Sequence, residues 1–203
     1  AYSSVAHMGF ATLGIFALNE MGIQGAVLVM INHGVTTGAL FIIVGIIYER
    51  LHTRDLEETA GMGRAMPIFA LFTGVFALSS LAFPGTNSFI GELMVMAGGF
   101  KLATEHFAFI VAMVCVVPGV VLAAAYMLRM LQKVAYGGTR NPVHAGLRDL
   151  NLREILTLAP LLFFVFWIGL HPAPIIRVLD VSVKHLLEQA QQGHTVATYV
   201  LLP

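Results

Sequence analysis

"FAFIVAMVCVVPGVVLAAAYML", residues 107–128, runs 22 positions without a charged side chain. A helix needs about 20 largely apolar residues to cross the hydrocarbon core, because in lipid every backbone N–H and C=O must find its partner inside the segment. The stretch therefore predicts a transmembrane helix, and with it an all-α, polytopic membrane fold. Pro118 in its middle removes one backbone hydrogen bond and predicts a kink. Cys115, the only cysteine, has no internal disulfide partner and is read as a small packed hydrophobe without chemistry.

The rest of the chain agrees with that segment. Of 203 residues, 58% are hydrophobic and 11% charged, against a soluble norm of roughly 45–50% and about 25%. Eleven basic and eleven acidic residues cancel, and no basic cluster interleaved with aromatics is present, so nucleic-acid binding is excluded. The opening "AYSSVAHMGFATLGIFAL" lacks the basic n-region and cleavage site of a signal peptide. It reads as the inside of a helix already under way, with upstream helices expected before it.

Six stretches approach spanning length: roughly 1–18, 24–48, 66–83, 88–103, 107–128 and 155–176. The fourth is short, carries Glu92 and contains Gly98-Gly99, which weakens helix continuity; it is read as the one broken helix. Two polar stretches, 49–67 and 129–154, are aqueous loops. With six spans those loops fall on opposite sides, and the positive-inside comparison sets Arg50, Arg54, Arg64 and Lys101 against Arg129, Lys133, Arg140, Arg148 and Arg153, which decides little. "IIRVLDVSVKHLLEQAQQ", 175–192, has helical apolar spacing and reads as an interfacial helix or partner contact.

Polar residues inside spanning segments are costly and mark function by default. His7, His33 and Glu92 stand out. Ser3 and Ser4 lie three and four residues before His7 and share its helix face. Asn32 adjoins His33, with Thr36 and Thr37 one turn on, while Gly34, Gly38 and Gly45 form a second, smooth stripe that invites close helix approach. Glu92 is the strongest signal, since a carboxylate in low dielectric resists ionisation and can carry a proton. Lys101 is a secondary candidate. HExxH, CxxC, GxSxG and phosphate-cradling motifs are lacking, so the pattern points to neither intramembrane hydrolysis nor nucleotide binding. A rival reading makes His7 and His33 axial ligands of a haem; another makes the polar residues a passive scaffold that locks helices together.

"AYSSVAHMGF", "INHGVTTGALFIIVGIIYERLHTRDL" and "FPGTNSFIGELMV", in this order and spacing, resemble the antiporter-like subunit M family of bacterial respiratory complex I, whose mitochondrial counterpart is subunit 4 of NADH:ubiquinone oxidoreductase. The resemblance runs to about residue 176. It implies that His7, His33 and Glu92 belong to a proton-translocating polar axis at the membrane midplane, with Glu92 in the exit half. Ala6 stands where the family's "SHMG" has serine, which removes one hydroxyl beside His7. It further implies that 1–134 is the second of two inverted five-helix antiporter-like units, 135–154 a polar loop, 155–176 the final transmembrane helix and 177–203 an amphipathic tail. The 129–154 loop would face the cytoplasm and the 49–67 loop the periplasm of a bacterial inner membrane.

The function so implied is proton translocation coupled to quinone reduction by NADH, as one membrane subunit among the others of complex I. No catalytic, cofactor or metal site is expected on this chain; NADH, FMN, iron–sulfur clusters and quinone would be bound by other subunits. The alternative is a subunit of a multisubunit cation/proton antiporter or of another complex-I-related membrane complex.

Overall fold

A computed structural model describes residues 2–138 and 146–201 of the chain, so Arg140 and the end of the tail lie outside the described residues. The elements are α1 (Tyr2–Phe16), α2 (Glu20–Leu51), a 3-10 turn (Met62–Arg64), α3 (Pro67–Ser80), α4 (Asn87–Ala103), α5 (Phe107–Tyr136), α6 (Leu152–Leu170) and α7 (Ala173–Leu201), with no strand among the described residues. The all-α expectation holds. Among the described residues three helices, α2, α5 and α6, are long and apolar enough to cross a membrane.

The stretches expected at 66–83 and 88–103 form two shorter helices, α3 and α4. At 1.5 Å per residue these 14- and 17-residue helices rise about 21 and 25 Å, each short of a core of roughly 30 Å. Their contacts with α2 explain why. Asp149, beside the C-terminal end of α2, caps the start of α3, accepting from the backbone N–H groups of Ile68 (2.8 Å) and Phe69 (3.1 Å). The far end of α3 reaches the middle of α2, where Ser79 meets Thr36 at 2.9 Å. α4 begins at that same level, with Asn87 against Asn32, and ends at the start of α2, where Asn19 donates to the Gly98 carbonyl at 2.9 Å. Both short helices therefore run antiparallel to α2, one after the other, as a single element interrupted at residues 81–86.

The interruption is thus at "LAFPGT" and not at Gly98-Gly99. Ala82 (φ 56°) and Gly85 (φ 94°) take left-handed backbone there, while α4 is continuous through both later glycines. Gly98 serves close approach instead: a Cβ on it would lie 2.8 Å from Asn19 Oδ1 and from the Gly22 Cα. The stripe of Gly34, Gly38 and Gly45 packs against nothing, since a Cβ at each would meet no atom within 4 Å. Helix approach is concentrated on the N-terminal half of α2, because α4 crosses it there.

The two polar loops meet at one end of the bundle, correcting the expectation of opposite sides. Arg50, in the last turn of α2, makes a bidentate pair with Glu154 (3.0 and 2.8 Å) and donates to the Arg148 carbonyl at 3.1 Å. Lys133 pairs with Glu57, and the Gly61 N–H donates to the Lys133 carbonyl at 3.0 Å. Asn151 and Glu154 form a capping box at the start of α6, each satisfying a backbone N–H the helix leaves open. α6 is Leu152–Leu170 rather than 155–176; His171 ends it, and Pro172 leads into α7.

The larger apolar cluster lies toward this basic face and includes Phe69, Phe72, Phe76, Met62 and Leu158. α5 instead exposes Val114, Val117, Val121 and Leu122; the helix is apolar around its circumference, as expected where lipid or another helix replaces water. α7 lies across the opposite end. Gln24 donates to Asp180 at 3.1 Å, and Lys184 lies 3.7 Å from Glu20. The Lys184 ammonium holds the Asp180 carboxyl below the usual carboxylate range.

Candidate functional site

The interruption between α3 and α4 leaves small polar side chains at the middle of the bundle, and α1 and α2 bring the histidines to them. His7, on α1, points its Nδ1 at the Glu92 carboxyl of α4, 3.1 Å away. Its Nε2 lies 3.5 Å from the Ser80 hydroxyl at the end of α3. Both partners are buried, at 8% and 6% exposure, so this is a titratable pair 85 residues apart in sequence and shielded from bulk water. His33 stands beside it, with ring centroids 5.6 Å apart and a tilt of 43°; its Nδ1 is 3.0 Å from the Thr37 hydroxyl.

A second set of groups holds the interruption in place. Asn32 Nδ2 donates to the Asn87 carbonyl at 2.7 Å, and the Ser79 hydroxyl donates to Asn87 Oδ1 at 2.6 Å. Thr36 bonds with Ser79 at 2.9 Å, and Asn87 Nδ2 reaches the Thr36 hydroxyl at 3.3 Å. Asn32, Ser79 and Asn87 are wholly buried. Asn32 and Thr36 can do this because four residues on a helix bring side chains to the same face.

Of the residues expected from sequence, His7, His33, Glu92, Asn32, Thr36 and Thr37 are therefore brought together. They line one small cavity of about 10 Å³ with Val29, Ser80 and Ser88. Ser3 and Ser4 are elsewhere, in a cavity of about 400 Å³ that extends from Thr37 to Arg54 and Thr59 near the basic face. Lys101 is exposed near the end of α4, away from the cluster. Cys115 is exposed rather than packed and lines a cavity of about 360 Å³ that also touches His7, Ser80 and Glu92.

Ser79, Ser80, Asn87 and Ser88 did not stand out in the sequence. The available signal was "SSLAFPGTNS", where small polar residues flank a Pro-Gly turn on both sides, but such residues ordinarily cap helix ends. The haem reading does not fit: the space that His7 and His33 share has the volume of one water, not of a porphyrin. No group of three or more metal-ligating side chains occurs among the described residues. The arrangement suits proton exchange between an imidazole and a carboxyl, with hydroxyls and a second imidazole in reach.

Residues 1–117, which hold every member of the cluster, match the family model described as "NADH:quinone oxidoreductase/Mrp antiporter, TM". The chain belongs to this family. It is 42% identical over 187 residues to NADH-quinone oxidoreductase subunit M of Rickettsia prowazekii, an alignment covering 92% of this chain and 37% of that protein. It is 41% identical to NADH-ubiquinone oxidoreductase chain 4 of Prototheca wickerhamii, covering 92% and 35%. Among solved structures it is similar to a chain of respiratory complex I from Thermus thermophilus with bound NADH, with a TM-score of 0.78 and 27% identity over 92% of this chain and 38% of that one. The chain thus spans little more than a third of the length of these relatives. As a member of the antiporter family it is a multi-pass membrane protein, consistent with the length and apolar character of α2, α5 and α6.

Proposed function

We propose that the chain is part of a proton-translocating membrane subunit of NADH:quinone oxidoreductase, with His7, His33 and Glu92 as the proton-carrying groups of its polar axis. The observation that carries this reading is the buried His7–Glu92 pair, placed at the interruption of a membrane-crossing element with His33 beside it. A crossing helix broken at a buried titratable cluster is the arrangement by which transporters expose polar groups at the midplane without leaving lipid-facing backbone unpaired. In this mechanism a proton on His33 passes to the His7–Glu92 pair, which holds one mobile proton between imidazole and carboxylate. A change in the local field, driven by quinone chemistry elsewhere in the complex, shifts that proton onward.

Five crossings follow from treating α3 and α4 as one: α1, α2, the interrupted α3–α4, α5 and α6. Arg50, Arg54, Arg64, Arg129, Lys133, Arg148 and Arg153 then cluster toward one face, against Lys101, Arg177 and Lys184 toward the other. The positive-inside rule makes the first face cytoplasmic. Both polar loops face the cytoplasm, α7 lies on the periplasmic side of a bacterial plasma membrane, and the other complex I subunits carry NADH, FMN, the iron–sulfur clusters and quinone. The family description also includes antiporters; co-purification with flavin and iron–sulfur subunits separates that reading from this one.

Glu92→Gln keeps the size and hydrogen-bonding capacity of the side chain and removes its charge. In inverted membrane vesicles driven by NADH, this variant is expected to assemble and to lose most proton pumping. Pumping at the wild-type level in the assembled complex overturns the proposal.

A further inference from the structure

Asn32 does two things with one carboxamide. Its Nδ2 donates to the Asn87 carbonyl at 2.7 Å, which fixes the orientation of the group, since exchanging its ends would set oxygen against oxygen. Its Oδ1 is left as a buried acceptor with no hydrogen-bond partner, on a residue with 0% exposure. Buried acceptors are almost always satisfied, and an exception calls for an explanation such as a water.

The surroundings supply one. Asn32 lines the cavity of about 10 Å³ together with His7, His33 and Glu92, a volume that matches one water-sized sphere. Polar partners are plentiful, which distinguishes a hydrated cavity from a dry apolar one. His33 has its Nδ1 engaged by Thr37, so its Nε2 remains for a further bond. Among the described residues no hydrogen bond joins His33 directly to His7 or Glu92, although the two rings are 5.6 Å apart.

We propose that this cavity is a built site for a single water molecule, seated by Asn32 Oδ1, that connects His33 to the His7–Glu92 pair. Asn32 is then a positioning residue. It ties the start of α4 to α2 through Nδ2 and holds the bridging water through Oδ1, so the geometry of the interruption and that of the proton path are set by the same side chain. The water donates one proton to Asn32 Oδ1, leaving its other proton and its lone pairs for the imidazole and carboxyl groups. A proton arriving from His33 displaces one already on the water toward the pair, and no net charge stays on the water. The inference rests on the proposed proton path and deepens it.

The direct test is a high-resolution cryo-EM map of the intact membrane complex. A peak at hydrogen-bond distance, about 2.7–3.2 Å, from both Asn32 Oδ1 and a His33 ring nitrogen is expected; an empty cavity overturns the proposal. So does a peak ringed by oxygens at metal-coordination distance with activity that requires sodium, which assigns the site to a cation. In vesicles, Asn32→Ala is expected to slow proton transfer about a hundredfold, near the lower end of what a positioned proton-transfer group contributes. Asn32→Gln keeps both the donor and the acceptor and is expected to retain more. Loss of assembly in both variants leaves the wild-type map to decide. A peak present while Glu92→Gln pumps normally removes the functional reading and keeps the water site; no peak while Glu92→Gln is inactive removes only the water.

Discussion

His33 differs from His7 in what holds it. His7 is tied to a carboxyl and lies near a serine hydroxyl, whereas the bond found for His33 is to Thr37 on its own helix. A histidine whose direct hydrogen bond is to its own helix can change its protonation without breaking a direct bond to another helix. His33→Ala is therefore expected to assemble normally and to reduce NADH-driven pumping in vesicles severalfold, less than Glu92→Gln; unchanged pumping would leave His33 a spectator. At this scale the sequence was informative, because a titratable residue in an apolar run is conspicuous. What it could not supply was pairing, since His7 and Glu92 meet across 85 positions and Ser80 and Asn87 look like ordinary helix-end residues.

The interrupted α3–α4 element is where sequence reading and structure part. Gly98-Gly99 weakens a helix in isolation, by about 1 kcal/mol per glycine relative to alanine, yet packing against α2 and α5 overrides that cost. The true break needs left-handed backbone at Ala82, a conformation that alanine does not advertise. Gly98→Val is accordingly expected to destabilise the assembled complex by about 1–3 kcal/mol through overpacking, because the new side chain meets the Gly22 backbone at 2.8 Å from its first carbon. Thermal unfolding of the detergent-solubilised complex reads this. Gly45→Ala, with nothing within 4 Å of the added carbon, serves as the neutral comparison.

For the whole molecule, the proposed single crossing by α3 and α4 reverses the sidedness expected for everything after them. The Arg50–Glu154 pair, the Asp149 cap on α3 and the Lys133–Glu57 pair bring the end of α2 and the start of α3 together with Lys133 and residues 148–154 at one face. Cysteines introduced singly at Thr53 and Arg148 in a Cys115→Ser background are expected to react with a membrane-impermeant maleimide from the same, cytoplasmic, side. Labelling from opposite sides would refute the five-crossing topology. The Arg50–Glu154 pair also ties the start of α6 to the C-terminal end of α2, and removing either partner leaves the other charge uncompensated.

Sequence alone determined the solvent and the cast of this protein. Apolar runs long enough to cross lipid make it helical and membrane-bound, because only a helix satisfies its backbone hydrogen bonds within a single segment there; the few polar residues inside those runs stand out because each is expensive. Tertiary structure decided where the crossing is broken, which loops share a face and which polar groups touch. Those outcomes depend on α4 packing along the N-terminal half of α2 and on bonds between residues 55 to 104 positions apart, and no local propensity encodes separations of that length.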